Sequence, residues 1–185
     1  MTHQGTKPLQ TTRLNLRRFT TGDAKAMYNN WASDPQVSKY LTWPAHASPE
    51  VTKGILENWV PQYANDNFYT WAIVLNENGD DPIGSISVVN IHERTKTVEI
   101  GYCIGAKWWG QGIVSEAFGL LIKFLFEEVK VNRIEAVHDP RNPASGKVME
   151  KCGLVYEGCL REAGYNNQGV SDKMMYAVLA RDYKG

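Results

Sequence analysis

The chain has 185 residues, in which 20 lysine and arginine residues balance 20 aspartate and glutamate residues. This length fits one domain with a buried core, and a formal net charge of zero indicates no nucleic-acid partner and no membrane-surface partner. No apolar run is long enough to span a bilayer. Neither the four histidines nor Cys103, Cys152 and Cys159 show metal-type spacing, so we expect free thiols in a reducing cytoplasm and no metal.

The first half of the chain predicts one strand, several helices and then two more strands. Residues 1–8 form a polar segment that we expect to be a flexible tail, followed by a single domain over residues 9–185. Leu14 and Leu16 alternate with polar residues, which indicates a half-exposed strand. Signals for a helix start follow at Thr21–Asp23, Asp34-Pro35 and Ser48-Pro49, and strands are predicted over Tyr69–Leu75 and Pro82–Val89.

The second half is organised around a strand, a glycine-containing turn and a helix. Thr97–Ile104 is rich in β-branched and aromatic residues and predicts a strand, whereas apolar residues recur at helical spacing from Ile113. Gly110 and Gly112 lie in the turn between them. Because free backbone N–H groups and the helix dipole converge at such a turn, the pattern predicts a site for phosphate groups.

The remaining elements are a strand, a helix and two closing strands. Arg133–His138 predicts the strand, and Asn142-Pro143 begins a helix in which Asn142 serves as the cap and which Gly153 ends. Leu154–Leu160 and Val170–Leu179 predict the closing strands. The helix between the strands Thr97–Ile104 and Arg133–His138 is the kind of connection that a parallel pair of strands would require.

The glycine turn does not match the common nucleotide-binding loops. A Walker loop ends in Gly-Lys-Ser/Thr, whereas Gly112 is followed by Ile113-Val114; a dinucleotide fingerprint needs an acid about twenty residues on, where Lys130 stands. Lys107-Trp108-Trp109-Gly110-Gln111-Gly112 instead resembles the acyl-CoA loop of the GNAT acetyltransferase superfamily, Arg/Gln-x-x-Gly-x-Gly/Ala, with lysine in place of the usual first residue.

The resemblance extends over nearly the whole chain. The run from Asn142 to Gly158, the opening Leu9–Arg17 and the tail Asp172–Tyr176 are similar to the branch of ribosomal-protein-alanine N-acetyltransferases (RimJ/RimL type). The resemblance implies an α/β (α+β) fold, with a mixed, mostly antiparallel central sheet flanked by helices. It also implies that the fourth and fifth strands, Thr97–Ile104 and Arg133–His138, run parallel but splay apart around acetyl-CoA.

In such a protein acetyl-CoA would lie in the opening between the two splayed strands. Its pyrophosphate would rest on the loop, its pantetheine arm would pair with the strand edge near Ile104, and its thioester would face the helix that starts at Asn142. The cofactor-binding residues implied in this way are Ile104, Lys107, Trp109, Gly110, Gln111, Gly112, Ile113, Val114, Asn142 and Ser145.

Two residues are candidates for the chemistry of acetyl transfer. Glu99 lies mid-strand among apolar residues and would act as general base, directly or through a water; the alternative is a structural ion pair with an arginine or lysine. Ser145 would assist the leaving thiolate, the alternative being a bond to the backbone. A nucleophile–base pair of Cys103 and His138 is a weaker alternative, because free cysteines usually serve in packing.

The resemblance leaves the acceptor amine open. Tyr40, Trp43 and Tyr165 are candidates for substrate contacts. We expect an N-acetyltransferase that transfers the acetyl group directly in a ternary complex, with a ribosomal-protein N-terminal amine as one acceptor. A small amine, an amino acid or an antibiotic is an alternative acceptor, and a non-catalytic acyl-CoA-binding protein is an alternative function. The chain would act as a monomer or homodimer.

Overall fold

One eight-stranded sheet forms the centre of the computed structural model, which describes residues 1–185 apart from the side chain of Asn78. The strands are β1 (Leu9–Gln10), β2 (Leu14–Arg17), β3 (Thr70–Leu75), β4 (Pro82–His92), β5 (Thr97–Ile104), β6 (Arg133–His138), β7 (Val155–Asn166) and β8 (Gly169–Leu179). Their spatial order is β1-β2-β3-β4-β5-β6-β8-β7. The paired strands described are antiparallel except for β5 and β6, which confirms the mixed sheet implied by the resemblance.

The helices begin where the capping and proline signals predict. They are α1 (Ala24–Met27), α2 (Pro35–Ser38), α3 (Pro49–Gln62), α4 (Ile113–Phe124) and α5 (Pro143–Lys151). Asp34 accepts a hydrogen bond from the backbone N–H of Gln36 and so caps α2. Asn142 holds the capping position of α5, but its side chain makes no capping bond. Within the described chain, no helix combines the length and apolarity that crossing a bilayer requires.

Alternation along the strands divides the core into two layers. In β3, Trp71, Ile73 and Leu75 belong to the cluster that includes the apolar face of α4, whereas Ala72 and Val74 belong to the cluster formed with α1 to α3. Because successive side chains of a strand point to opposite faces, the sheet separates α4 and α5 from α1 to α3.

The expected flexible tail, residues 1–8, is instead joined to the body of the protein. The N–H of Thr2 donates to the carbonyl of Val129 at 2.7 Å, and the indole of Trp71 donates to the carbonyl of Lys7 at 2.6 Å. Thr6 is buried, and its hydroxyl donates to the carbonyl of Phe68. A polar composition suggested solvent exposure, but here the polar groups bond to the sheet and to loops far along the chain.

The parallel pair β5–β6 is short, and its two strands then separate. Pairing runs from Thr97 opposite Arg133 to Glu99 opposite Glu135 and stops there. Beyond that point β5 pairs only with β4, as far as Ile104, and β6 pairs only with β8, as far as His138. The predicted splay therefore starts directly after Glu99.

A β-bulge lies beside the point of separation. Val88 pairs with Ile100 and Asn90 pairs with Glu99, so Val89 is the extra residue of β4. A bulge bends its strand and increases the local twist. Val89 also lies over Gly101, since a Cβ on Gly101 would come within 2.9 Å of its Cγ1 atom. The glycine in β5 is therefore explained by close packing against the bulge.

A buried aspartate joins the end of β6 to the closing hairpin. The carboxylate of Asp139 accepts hydrogen bonds from the backbone and guanidinium of Arg141 and from the side-chain amide of Asn166 at 2.8 Å. The bonds from the Arg141 side chain hold the pKa of Asp139 well below its ordinary value. This network positions the loop that leads into α5.

We expect Asp139→Asn to lower the free energy of unfolding by about 1 to 3 kcal/mol at neutral pH, because charge-assisted bonds are lost at a buried position. Since the folded-state pKa of Asp139 is depressed, its stabilising effect is present above the pKa of the unfolded state and is lost as the pH falls. The difference from the wild type should therefore shrink from about pH 5 downward.

Urea unfolding of both proteins at a series of pH values measures this difference. Asp66→Asn is the matched control, because Asp66 is exposed and its carboxylate has no hydrogen-bond partner among the described residues. A difference that stays constant across the acidic range would contradict the role given to Asp139.

Candidate active site

The turn between β5 and α4 presents a row of free backbone N–H groups. Gly110 and Gly112 have φ values of +73° and +76°, a region that glycine adopts without strain. Gly112 is the N-cap of α4 and has no side chain to cap the helix. Within the described chain, the N–H groups of residues 110–115 have no acceptor. Together with the helix dipole they form a site for an anion.

Side chains hold this turn in shape from outside. The carboxylate of Glu116 accepts from Thr11 and from Arg13, and Arg13 also donates to the carbonyl of Gln111 at 3.2 Å. On the other side, the indole of Trp109 donates to the carbonyl of Ile104 at 3.0 Å. Because these bonds occupy the carbonyl groups and not the N–H groups, the donors of the turn stay available to a ligand.

A cavity of about 720 Å³ adjoins the turn. On the side of the sheet opposite α4 and α5, it is lined by Gln36, Val37, Lys39, Tyr40 and Leu41, of which Val37 belongs to the α1–α3 layer. Residues of α4 and α5 line it from their own side. The cavity therefore passes through the opening between β5 and β6. Its charged lining residues are all cationic: Lys39, Lys147 and Lys151.

A second hollow, of about 740 Å³, lies at the other end of β5 and is a weaker candidate. It is open and is lined by the β4–β5 turn and by the start of β6. Its charges are of both signs, and its Arg133 is already bonded to Glu135 and Glu157. Of these two cavities, the first alone has the row of free N–H groups and charged lining residues of one sign.

Most of the cofactor-binding residues expected from the sequence line the first cavity. They are Ile104, Trp109, Gly110, Gly112, Ile113, Val114, Asn142 and Ser145, and of the substrate candidates Tyr40 is with them. Lys107 and Gln111 are not lining residues. The ammonium of Lys107 lies over the ring of Trp108, and the amide of Gln111 donates to the carbonyl of Lys107.

The other two substrate candidates lie outside the lining of the cavity. Trp43 packs its ring against His46 at 5.3 Å, and its carbonyl accepts a bond from the side chain of Asn167 in the β7–β8 turn. Asn167 also bonds to the carbonyl of Ser38 at 2.8 Å. Tyr165 stands 71% exposed near the end of β7. The closing hairpin thus joins the α2 segment at the rim of the cavity.

Glu99 is the last residue of β5 that pairs with β6, and it is not a lining residue of the cavity. Alternation places it on the face of β5 that carries Cys103, which is the α1–α3 side. It is partly buried, and no arginine or lysine forms an ion pair with it among the described residues. Because a strand rises about 3.3 Å per residue, Glu99 lies roughly 10 Å along β5 from Tyr102.

Ser145 lines the cavity in the first turn of α5 and meets a residue that the sequence analysis did not select. The hydroxyl oxygen of Tyr102 lies 2.8 Å from Oγ of Ser145, and the ring of Tyr102 packs against Phe118 of α4. Burial raises the pKa of Tyr102. Alternation along β5 could have placed Tyr102 on the α4 side, but no local signal reveals a contact across 43 residues.

Cys103 and His138 do not form a nucleophile–base pair. The thiol of Cys103 lies 3.3 Å from the hydroxyl of Ser85, and burial raises its pKa, which disfavours the reactive thiolate. His138 donates from Nδ1 to the carbonyl of Asp139, and its Nε2 atom faces Gly146. No group of three or more metal-binding side chains is placed to hold an ion within the described residues.

Comparisons with known proteins agree with this architecture. Residues 13–155 match the family model described as an acetyltransferase (GNAT) domain. The chain is 30% identical over 177 residues to the uncharacterized N-acetyltransferase p20 of Bacillus licheniformis, covering 96% of this chain and 98% of that protein. It is 36% identical over 100 residues to the ribosomal-protein-serine acetyltransferase of Escherichia coli, covering 54% and 56%.

A solved structure extends the likeness to three dimensions. The GNAT-family acetyltransferase of Bacillus anthracis has a TM-score of 0.82 and 27% identity, with 95% of this chain and 99% of that chain covered. The family match spans most of the chain, including β5, the glycine turn, α4, β6 and α5. The chain therefore belongs to the GNAT family of acetyltransferases.

Proposed function

We propose that this acetyltransferase transfers the acetyl group of acetyl-CoA directly to the N-terminal amine of a ribosomal protein. The observation that carries the proposal is the cavity through the sheet, with free N–H groups and lysines at its wall. Such a passage lets two substrates approach each other from opposite faces of the sheet, so no covalent enzyme intermediate is needed.

The residues at the turn fit the phosphates of acetyl-CoA. A Cβ added at Gly110 or at Gly112 would meet no protein atom within 4 Å, so the glycines are explained by their positive φ and leave open space in front of the N–H groups. The pyrophosphate would accept from this row of donors, and Lys147 and Lys151 of α5 would attract the remaining phosphate. The loop, with its fixed carbonyl groups, needs no rearrangement for this.

The edge of β5 supports the rest of the acyl donor. Beyond Glu99, this edge has no neighbouring strand, because β6 has turned away. Apart from the carbonyl of Ile104, which accepts from the indole of Trp109, its backbone groups are available to an extended chain such as pantetheine, in the manner of an added strand. N–H groups on the same edge would also stabilise the oxyanion that develops on the thioester carbonyl.

Acetyl-CoA supplies an activated thioester, and the residues of the chain handle protons and charge. Glu99 is the proposed general base and would accept a proton from the amine, directly or through a water. Ser145 is placed at the cavity wall, where its hydroxyl would bond to the leaving sulfur. The carboxylate of Glu99 has no cationic partner among the described residues, so it is free for this task.

The acceptor is proposed from the relatives and from the rim of the cavity. The Escherichia coli relative is named for acetylating serine of a ribosomal protein. On the α1–α3 side, the rim is formed by Tyr40 and by the contact of Asn167 with Ser38. Tyr165, two residues before Asn167 in the chain, is exposed and would offer a surface to the residues that follow an N-terminal amine.

The acceptor is tested with purified protein, acetyl-CoA and synthetic peptides that carry ribosomal-protein N-termini. Each peptide contains one internal lysine and is matched by a copy with a blocked N-terminus, and mass spectrometry locates the acetyl group. We expect acetylation of the free α-amine only. Acetylation of small amines without acetylation of the peptides would overturn the ribosomal acceptor and leave the acetyltransferase activity in place.

The loop assignment is tested by Gly112→Glu. The new carboxylate would stand at the free N–H groups and repel phosphates, so calorimetry should show at least about a hundredfold weaker binding of acetyl-CoA. Gly119→Glu is the matched control, since Gly119 is exposed on the same helix and has open space around its Cα. Equal affinity of the two variants for acetyl-CoA would contradict the assignment.

The proposed base is tested by Glu99→Gln. We expect kcat to fall by about a hundredfold or more while the Kd for acetyl-CoA stays within about twofold, because the loop is untouched. Glu128→Gln provides the control at an exposed carboxylate near the end of α4. Wild-type turnover by Glu99→Gln would exclude Glu99 as the base.

A further inference from the structure

Two hydroxyl groups from different parts of the fold meet at the wall of the cavity. Tyr102 extends from β5, and Ser145 lies in the first turn of α5. The hydroxyl of Tyr102 lies 2.8 Å from Oγ of Ser145 and 3.0 Å from the backbone carbonyl oxygen of the same serine. Both residues line the cavity, so their hydrogen bonds determine which groups are presented to a molecule bound there.

Counting hydrogen atoms gives two arrangements of this contact, because each hydroxyl has one hydrogen to donate. In the first, Tyr102 donates to the carbonyl of Ser145 and accepts from its Oγ, which uses the hydrogen of the serine. In the second, Tyr102 donates to Oγ, and the hydrogen of the serine is free to point into the cavity. The second leaves no carbonyl unpaired, since Ser145 lies inside α5 and its carbonyl accepts from the helix.

The leaving group selects between the arrangements. A thiolate only accepts hydrogen bonds, and a bond to a charged acceptor is roughly twice as strong as a neutral one. The second arrangement supplies the donor that the thiolate needs. In the first arrangement the hydrogen of Ser145 points to Tyr102 and is not available to the thiolate.

We infer that Tyr102 is a positioning residue for acetyl transfer: its hydroxyl donates to Oγ of Ser145 and directs the hydrogen of Ser145 to the sulfur of CoA. This inference rests on the proposed function. The ring of Tyr102 is held by Phe118, with ring centroids 5.7 Å apart, so its hydroxyl reaches α5 from a fixed direction.

Tyr102 keeps its proton throughout. Burial raises the pKa of Tyr102, so transfer of its proton to a thiolate is uphill. As the C–N bond forms and the C–S bond breaks, the electron pair of the C–S bond goes to sulfur. The proton that is lost leaves the attacking amine and reaches the base. The hydroxyl of Ser145 stabilises the charge on sulfur by hydrogen bonding alone, and Tyr102 only orients that hydroxyl.

The test is Tyr102→Phe, which removes the hydroxyl and keeps the ring. We expect kcat to fall about tenfold, with the KM for acetyl-CoA within about twofold of the wild type. In a Ser145→Ala background the same substitution should cost less than about twofold, because Tyr102 acts through the serine. Tyr156→Phe is the matched control, since Tyr156 is half exposed on β7 and is not a lining residue of the cavity.

A binding measurement separates positioning from a structural role. Free CoA is the probe, and its affinity is measured by calorimetry across the pH range in which its thiol ionises. In the wild type, the affinity for CoA should rise with pH as the thiolate forms. In Tyr102→Phe this rise should be smaller, so that the variant binds CoA about tenfold more weakly than the wild type at the highest pH. Thermal unfolding of each variant gives its effect on stability.

Three results would overturn the inference: an unchanged kcat and pH dependence in Tyr102→Phe, a full loss from Tyr102→Phe in the Ser145→Ala background, or a loss seen in stability and in affinity at every pH but not in kcat. The proposed function fails separately, if the wild-type protein binds neither acetyl-CoA nor CoA. A wild-type protein that binds both, with a Tyr102→Phe variant that behaves identically, refutes only the role of Tyr102.

Discussion

The end of parallel pairing between β5 and β6 is the constraint on which the rest of the site depends. The gap leaves one edge of each strand unpaired, while the other edge keeps the strand in the sheet. β6 pairs with β8 through six consecutive residues, and β5 pairs with β4 along its whole length. The bulge at Val89 lies beside the last β5–β6 pair and adds twist there. Gly101 permits the close approach of Val89, so the bulge depends on the glycine opposite it.

The gap acquires its chemistry from the elements that cross its two ends. α4 follows β5 after the glycine turn and directs its free N–H groups to the opening, while α5 follows β6 and places Ser145 in the lining of the same cavity. The loop before α5 is fixed by the buried carboxylate of Asp139, which also bonds to Asn166 of β7. The closing hairpin therefore positions one wall of the cavity and, through Asn167, its rim.

The sequence was informative where local chemistry determines structure. The central strands Thr97–Ile104 and Arg133–His138 have the bounds that were predicted, because apolar and β-branched residues mark their interiors and clear turn residues follow their ends. The edge strand β7 was predicted over Leu154–Leu160 but extends from Val155 to Asn166. It contains irregular pairing, and Glu162 has a positive φ of 52°, so its polar and apolar residues do not alternate.

The features that could not be predicted from the sequence depend on contacts between residues far apart in the chain. Most bonds of residues 1–8 involve partners more than 60 positions away, and a polar composition gives no sign of them. For the site, the glycine turn was visible as a pattern, but Lys107 and Gln111 share that pattern and turn away from the cavity. A motif fixes the backbone of a turn more strongly than it fixes the direction of each side chain in it.

The contact between Tyr102 and Ser145 depends on the positions of two different parts of the fold. The packing of Tyr102 against Phe118 links the position of its hydroxyl to α4, the helix whose N-terminus forms the anion site. The position of Ser145 depends on α5, and so on β6 and Asp139. The proposed phosphate site and the proposed donor to the leaving sulfur thus depend on the positions of the same two helices, α4 and α5. Because this contact joins β5 to α5, the distance of 2.8 Å between the two hydroxyl oxygens depends on the width of the opening, and a wider splay would lengthen it beyond hydrogen-bonding range.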